Sequence, residues 1–259
     1  MTMTVWGAAV MTGCGSVVTF TVNTPFDLHD TNVGDLQCVA NAAAELCSLR
    51  AAVEQANAFT PGTTHIVINV PSDTYELNAQ PENHLTLNSD RFVEILAANP
   101  ATTIVQPATG VNTKVFHILG GLFRLSNLTI RNGAAGAVGA DDRGGGILID
   151  GSGYSGEITN CIIENNTSAF RGAGLYAEGG AGASLLITDT IVRNNTTGQG
   201  GGGGGGGLYV DVGFLGLTRV TLSGNSGGRG AGSYLASQEV EIWDSSIIQN
   251  QAQSFGGGV

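Results

Sequence analysis

A set of recurring residue columns narrows the folds open to this chain more than any other feature in it. Aligned on their fourth residue, the segments "TIRNG", "IIENN", "IVRNN", "TLSGN" and "IIQNQ" anchor at Asn132, Asn165, Asn194, Gly224 and Asn250, at spacings of 33, 29, 30 and 26. Two residues before each anchor stand Ile130, Ile163, Val192, Leu222 and Ile248. Seven before stand Leu125, Ile158, Ile187, Leu217 and Trp243. Both columns are apolar throughout. Six before the anchor, Ser126, Thr159, Thr188, Thr218 and Asp244 make a polar column. Four before, Leu128, Cys161, Thr190, Val220 and Ser246 are mixed and mostly small. Self-similarity at such a period marks a stacked repeat. The β-branched content suits pleated strands, and no stripe of period 3.6 runs through the segments. The anchor asparagines are expected to stack coil on coil, bonding to one another or capping the turn at roughly 1 kcal/mol each.

A second marker follows each anchor. "RGGGI", "RGAGL", "GGGGL", "RGAGS" and "FGGGV" end at Ile147, Leu175, Leu208, Ser233 and Val259. The eight consecutive glycines Gly200 to Gly207 fall in the same slot, and the column pattern resumes beyond them. They therefore read as a turn carrying an insertion, not as a linker between domains. Glycine suits a corner where the chain bends with positive φ or passes close to the coil below.

Coils of 25 to 33 residues with short strands and glycine corners predict an all-β fold, a right-handed parallel β-helix (solenoid) with rungs about 4.8 Å apart. "THIVINV", "LTLNS", "TTIVQ" and "KVFHILGGLFRLSNLTIRNG" read as earlier, less regular rungs. Leucine-rich repeats and propellers need spacings that are not present. A short helix is expected to cap the N-terminal end: in "CSLRAAVEQANAF", Ser48 is placed to cap and Leu49, Val53 and Ala56 share one face. Cys38 and Cys47 flank its approach, and a disulfide between them would suit an oxidising compartment. Cys161 reads as a buried thiol. The divisions expected are residues 1–16 as a leading strand or signal-like segment, 17–60 as the cap and 61–259 as the β-helix. The chain stops at "FGGGV" as a further strand begins, so continuation beyond it is expected.

The net charge is −11, with a single lysine, Lys114. No basic footprint for nucleic acid or an anionic membrane is present. No apolar run is long enough for a transmembrane helix. "MTMTVWGAAVMTGCGS" is similar to the tail of a bacterial lipoprotein signal, with Cys14 as the residue to be lipidated, although it lacks a basic leading segment.

At these residues the chain resembles a known group. "CSLRAAVEQAN" resembles the CSLREA element, with Ala51-Ala52-Val53 where the named form has Glu-Ala-Ile, and "FTVNTPFDLHDTNVGDLQC" is similar to its acidic lead-in. Gly144-Gly145-Gly146-Ile147 and Ile162 to Asn165 resemble the tetrapeptides of polymorphic outer-membrane proteins. The resemblance implies a secreted or surface-exposed bacterial β-helix protein on the extracellular side, adhesin-like or structural, with cell-surface glycans or host matrix proteins as partners. The same fold also carries polysaccharide lyases and glycoside hydrolases, so fold alone does not decide.

Candidate chemistry is sparse, and the reading leans away from an enzyme. Asp141 and Asp142 are the one adjacent carboxylate pair in a long insertion, the weak candidates for catalysis. Asp27, Asp30 and Asp35 are candidates to hold calcium, although their spacing is not that of an EF-hand; no other cofactor is expected. His29, His65, His84 and His117 are scattered, without metal-ligand spacing. Arg143, Arg171 and Arg229 each precede a glycine turn, with Gly204 in the same slot of the intervening repeat. Stacked, they would form a column able to grip an acidic glycan, or to balance carboxylates on neighbouring coils.

Overall fold

The computed structural model describes residues 17–41, 43–59, 65–78, 81–88, 90–136, 142–198 and 204–258. The strands form a parallel β-solenoid in which every ladder between named strands is parallel. Four rows run along its axis. The first comprises Val17–Thr21, His65–Val70, Phe92–Ala97, Leu122–Ser126 and Ser155–Thr159, then the later parts of the long strands Leu175–Thr188 and Leu208–Thr218, then Glu239–Trp243. The second comprises Leu85–Leu87, Phe116–Ile118, Ile147–Ile149, the opening parts of the same two long strands, and Ser233–Leu235. The third has seven strands, from Thr74–Leu77 to Ser246–Ile248, and the fourth has five, from Ala134–Ala135 to Gln251–Phe255.

Alternation does the building. In His65–Val70 and Phe92–Ala97 every second residue is buried, which sends Ile66, Ile68, Val93 and Ile95 into the interior. Each fully buried Ile or Leu contributes about 1.5–3 kcal/mol relative to exposure. Leu125, Ile158, Ile187 and Leu217 sit one over the next in register, as the column predicts. The fifth member is Ile242, not Trp243. Trp243 instead pairs with Thr218 and is 59% exposed. The last repeat is thus one residue shorter than the sequence alignment made it. Ile247, not Ile248, stands beside Leu222. The double isoleucine leaves an apolar residue in that column under either alignment, which hid the slip.

The slip moves Asn250 out of the anchor column, and the other anchors prove not to be the ladder either. Asn132, Asn165, Asn194 and Gly224 are left-handed turn residues, with φ of 59°, 55°, 55° and 62°, and Gln249 (φ 55°) completes their column. The buried amide ladder is the next column along: Asn166, Asn195, Asn225 and Asn250. Asn is among the few non-glycine residues that enter the left-handed region readily, because its short amide bonds locally. Asn132, Asn165 and Asn194 are therefore asparagine for the backbone's sake, and Asn166, Asn195, Asn225 and Asn250 for the amide's.

The glycine corners match the sequence reading. Ile147, Leu175, Leu208 and Ser233 are register partners, with Gly204 to Gly207 occupying the slot of Arg171 to Gly174. Gly144, Gly172, Gly205 and Gly230 have positive φ, and a Cβ on Gly145 would lie 2.1 Å from the Thr167 carbonyl oxygen.

The N-terminal helix is Leu49–Ala58. The Ser48 hydroxyl accepts from the Ala51 amide at 3.0 Å, while Leu49, Val53 and Ala56 face the core. A buried ion pair locks it down: Arg50 donates to both Asp27 oxygens, at 2.7 and 3.0 Å, and to the His84 carbonyl at 2.9 Å. Cys38 and Cys47 are joined in a disulfide ahead of the helix. Cys161 is buried and free, and burial pushes its thiol up to about 12.

Candidate functional site on the second row

On the side of the second row away from the main core, the register fixes a column of Thr86, His117, Leu148, Tyr176, Tyr209 and Tyr234, of which Leu148, Tyr176 and Tyr209 are buried. Leu148, Tyr176 and Tyr209 form a small apolar cluster separate from the main core. The tyrosine rings stack at 4.9 and 5.1 Å between centroids and lie within 9° of parallel. Stacking at the rung interval follows from parallel, in-register strands carrying the same residue.

The arginine column runs beside it. Arg143 and Arg171 bridge in parallel, as do Gly204 and Arg229, so the predicted column and its interruption are both present. Each arginine covers the aromatic ring of the next coil. Arg143 lies 4.7 Å over Tyr176, Arg171 4.9 Å over Tyr209, and Arg229 5.8 Å over Phe255. Arg171 also stacks on Phe170 at 4.6 Å. Gly204 faces Tyr234, whose ring would lie 3.3 Å from an added Cβ. Arg143 donates to the Tyr176 hydroxyl at 2.9 Å and to Glu178 at 3.3 Å. Of the two roles open to the column, balancing a carboxylate is the one Arg143 performs.

On the other side of the tyrosines runs a carboxylate column that sequence reading missed. Glu178 and Asp211 are register partners, and Asp150 follows Ile149 as Glu178 follows Ala177, its register partner. Asp150 receives the His117 Nε2 contact at 2.9 Å, and the His84 ring lies 5.7 Å from that of His117. The Glu178 Oε2 accepts from the Tyr176 hydroxyl at 2.5 Å. The Asp211 side chain makes no hydrogen bond or ion pair among the described residues. The signal was present as the acidic residue two beyond each tyrosine in "LYAE" and "LYVD", but it spans only two repeats.

Tyr154, 1% exposed, belongs to the main core, and its hydroxyl has no hydrogen-bond partner among the described residues. Its ring packs on Gly179, where a Cβ would come within 2.5 Å. Burial, then Asp211, Glu178 and Tyr176, raise its pKa above the ordinary phenol range. A buried hydroxyl without a partner costs about 1–3 kcal/mol. Gly179 belongs to "GGAGA", where the register of Leu175–Thr188 shifts against its neighbour; the glycines leave the ring its room.

The other sequence candidates are placed as follows. Asp141 and Cys14 lie outside the described residues. Asp142 accepts from the Phe170 amide through its backbone carbonyl at 2.9 Å and adds its charge to the field at Arg143. Asp27, Asp30 and Asp35 are not brought together: Asp27 serves Arg50, Asp30 accepts from the Asn32 and Val39 amides, and Asp35 from the Gln37 amide and the Gln55 side chain. Among the described residues no group of three or more His, Cys, Asp or Glu is arranged to hold a metal ion. Elsewhere charges pair internally, as Arg124 does with Glu94 and Glu157 at 3.3 and 2.6 Å on the first row.

Fold and face together define a parallel β-solenoid repeat protein with a capped N-terminal end and one outer face graded from arginine through tyrosine to carboxylate. Compared with protein-family models, with curated proteins and with solved structures, the chain matches none.

Proposed function

We propose that the protein is a secreted or surface-exposed module that recognises glycans along the outer face of its second row, as the CSLREA and polymorphic outer-membrane protein resemblance implies for a bacterial surface protein. The carrying observation is the carboxylate row beside the tyrosine stack: Glu178 and Asp211 are register partners, and Asp150 lies one residue past the ladder on the preceding coil. Such a row offers hydrogen-bond acceptors at a constant interval of about 4.8 Å along a straight rod. An extended β-linked sugar chain advances by a similar step per residue. The Cys38–Cys47 bridge supports an oxidising, extracellular setting. No helix among the described residues is long and apolar enough to cross a membrane. A glycan-array screen followed by titration calorimetry tests the reading. Binding that falls at least tenfold when Glu178 and Asp211 are both replaced by Ala supports it; absence of binding to any glycan defeats it.

A second reading, cleavage of a glycosidic bond, rests on Glu178 and Asp211 alone. Their in-register placement puts the two residues on adjacent coils, one rung apart, and a pair of carboxylates is what glycoside hydrolysis requires. Release of reducing ends or unsaturated products, abolished by Glu178→Gln, would favour it over binding alone.

A further inference from the structure

Resting on the glycan-binding reading, we infer that Arg171, Tyr209 and Asp211 form a subsite for one uncharged sugar unit, gripped through two adjacent hydroxyls. The same three positions can be followed over successive coils. Tyr176, Tyr209 and Tyr234 are register partners, and so are Glu178 and Asp211. On the first of these coils the group is closed. Arg143 donates to the Tyr176 hydroxyl at 2.9 Å and to Glu178 at 3.3 Å, and the Tyr176 hydroxyl donates to the same Glu178 oxygen. One coil on, the group stands open. Arg171 donates to the Tyr209 hydroxyl at 3.3 Å, but Asp211 is one methylene shorter than Glu178 and its side chain meets neither. Among the described residues Arg171 has no ion pair, and the Tyr209 hydroxyl proton has no acceptor. On the next coil both flanking members are gone, with Gly204 and Ala236 in their places.

What completes the open group follows from what it offers. The guanidinium and the phenol donate, and the carboxylate accepts. Two neighbouring sugar hydroxyls do both: one accepts from Arg171 or Tyr209 while the other donates to Asp211, filling the place that the Glu178 carboxylate takes one coil back. Bonds to these ionised groups are of the strong, charge-assisted kind. Charge points the same way. One guanidinium and one carboxylate sum to zero, so an anionic sugar is opposed by Asp211 and a cationic one by Arg171. Arg171 and Asp211 are half-buried, which leaves them open to a ligand. Arg171 is also held in advance, stacked on Phe170 at 4.6 Å and on Tyr209 at 4.9 Å, so little freedom is lost on binding.

The experiment titrates the whole chain by calorimetry with hexasaccharides of glucose, mannose and xylose, and with oligogalacturonate and glucosamine oligomers of equal length. At least one neutral hexasaccharide should bind at least tenfold more tightly than either charged chain, with little dependence on salt. Asp211→Glu restores the longer side chain and should close the group as Glu178 does, leaving the melting temperature unchanged or raised while affinity falls at least tenfold. Tyr209→Phe keeps the ring stack and should lower affinity severalfold, with circular dichroism confirming that it folds. Equal or tighter binding of a charged chain overturns the selection for an uncharged sugar while leaving glycan recognition standing. Undiminished affinity in either variant, or a lower melting temperature in Asp211→Glu, overturns the assignment to this group. Binding to no oligosaccharide defeats the broader reading as well.

Discussion

Asn166 and Asn195 are joined twice: the Asn195 side-chain oxygen accepts from both the backbone amide and the side-chain amide of Asn166, each at 3.0 Å. Asn195 in turn donates to the Asn225 oxygen at 3.0 Å and to the Ile163 carbonyl at 2.9 Å. Both N–H donors and both lone pairs of the single oxygen of a fully buried carboxamide are therefore used. Asn195→Leu would leave several of these groups orphaned, at about 1–3 kcal/mol each. The expected loss is at least ~3 kcal/mol in urea unfolding. Asn194→Gly, one residue away at an exposed left-handed position, should change stability by less than about 1 kcal/mol. Similar losses for both would show that the ladder is not what holds the coils.

The glycine corners separate close approach from conformational freedom. A Cβ on Gly206 would lie 2.3 Å from the Ser226 carbonyl oxygen, whereas one on Gly180 would meet nothing within 4 Å. Gly206→Ala should therefore prevent folding or lower the melting temperature by well over about 8 °C. Gly180→Ala should cost only the φ penalty, about 1 kcal/mol. Thermal melts of the two variants make the comparison.

Gly204 interrupts a pattern in which each arginine covers the ring one coil on. Gly204→Arg should set a guanidinium over Tyr234, whose 38% exposure lets it shift by the few tenths of an ångström required. The expected gain is about 0.5–1 kcal/mol. A melting temperature that falls would mean that Tyr234 is held too firmly to give way.

Stability should decline at alkaline pH. Burial, with Asp73, pushes Tyr75 up to about 12, and burial, with the Glu178 contact, does the same for Tyr176. Folded phenols thus hold their protons beyond the ordinary value of 10.0. Their contribution is intact below pH 10 and is lost as pH rises toward 12, because there the unfolded chain binds fewer protons. Urea midpoints measured across that window should fall, and Tyr75→Phe should flatten the fall. A midpoint independent of pH would contradict this account.

Much of the fold could be read from residues because a parallel solenoid repeats its demands. Leu125, Ile158, Ile187 and Leu217 recur since each must cover the one below. The helix announced itself through Ser48 and its apolar face. Two kinds of information escaped. The one-residue slip at Trp243 left the hydrophobic columns nearly unchanged, and only pairing with the preceding coil distinguishes the alternatives. The site escaped for a different reason. Asp150, Glu178 and Asp211 lie far apart along the chain, and the glycines of 179–182 that make room for the Tyr154 phenol resemble the glycines of every other corner. The arginine column was anticipated in position, while its partners depended on which neighbour each guanidinium reached.

The asparagine ladder also gives the rod a direction. Every link runs the same way, from the nitrogen of one carboxamide to the oxygen of the next toward the C-terminal coils, ending with Asn225 donating to Asn250 at 3.0 Å. Aligned amide dipoles reinforce one another. A spliced-in duplicate of one coil would therefore be accepted only in the native polarity and only if it brought its own asparagine. Lengthening this molecule is a matter of inserting whole, oriented units, much as a zip fastener takes teeth facing one way.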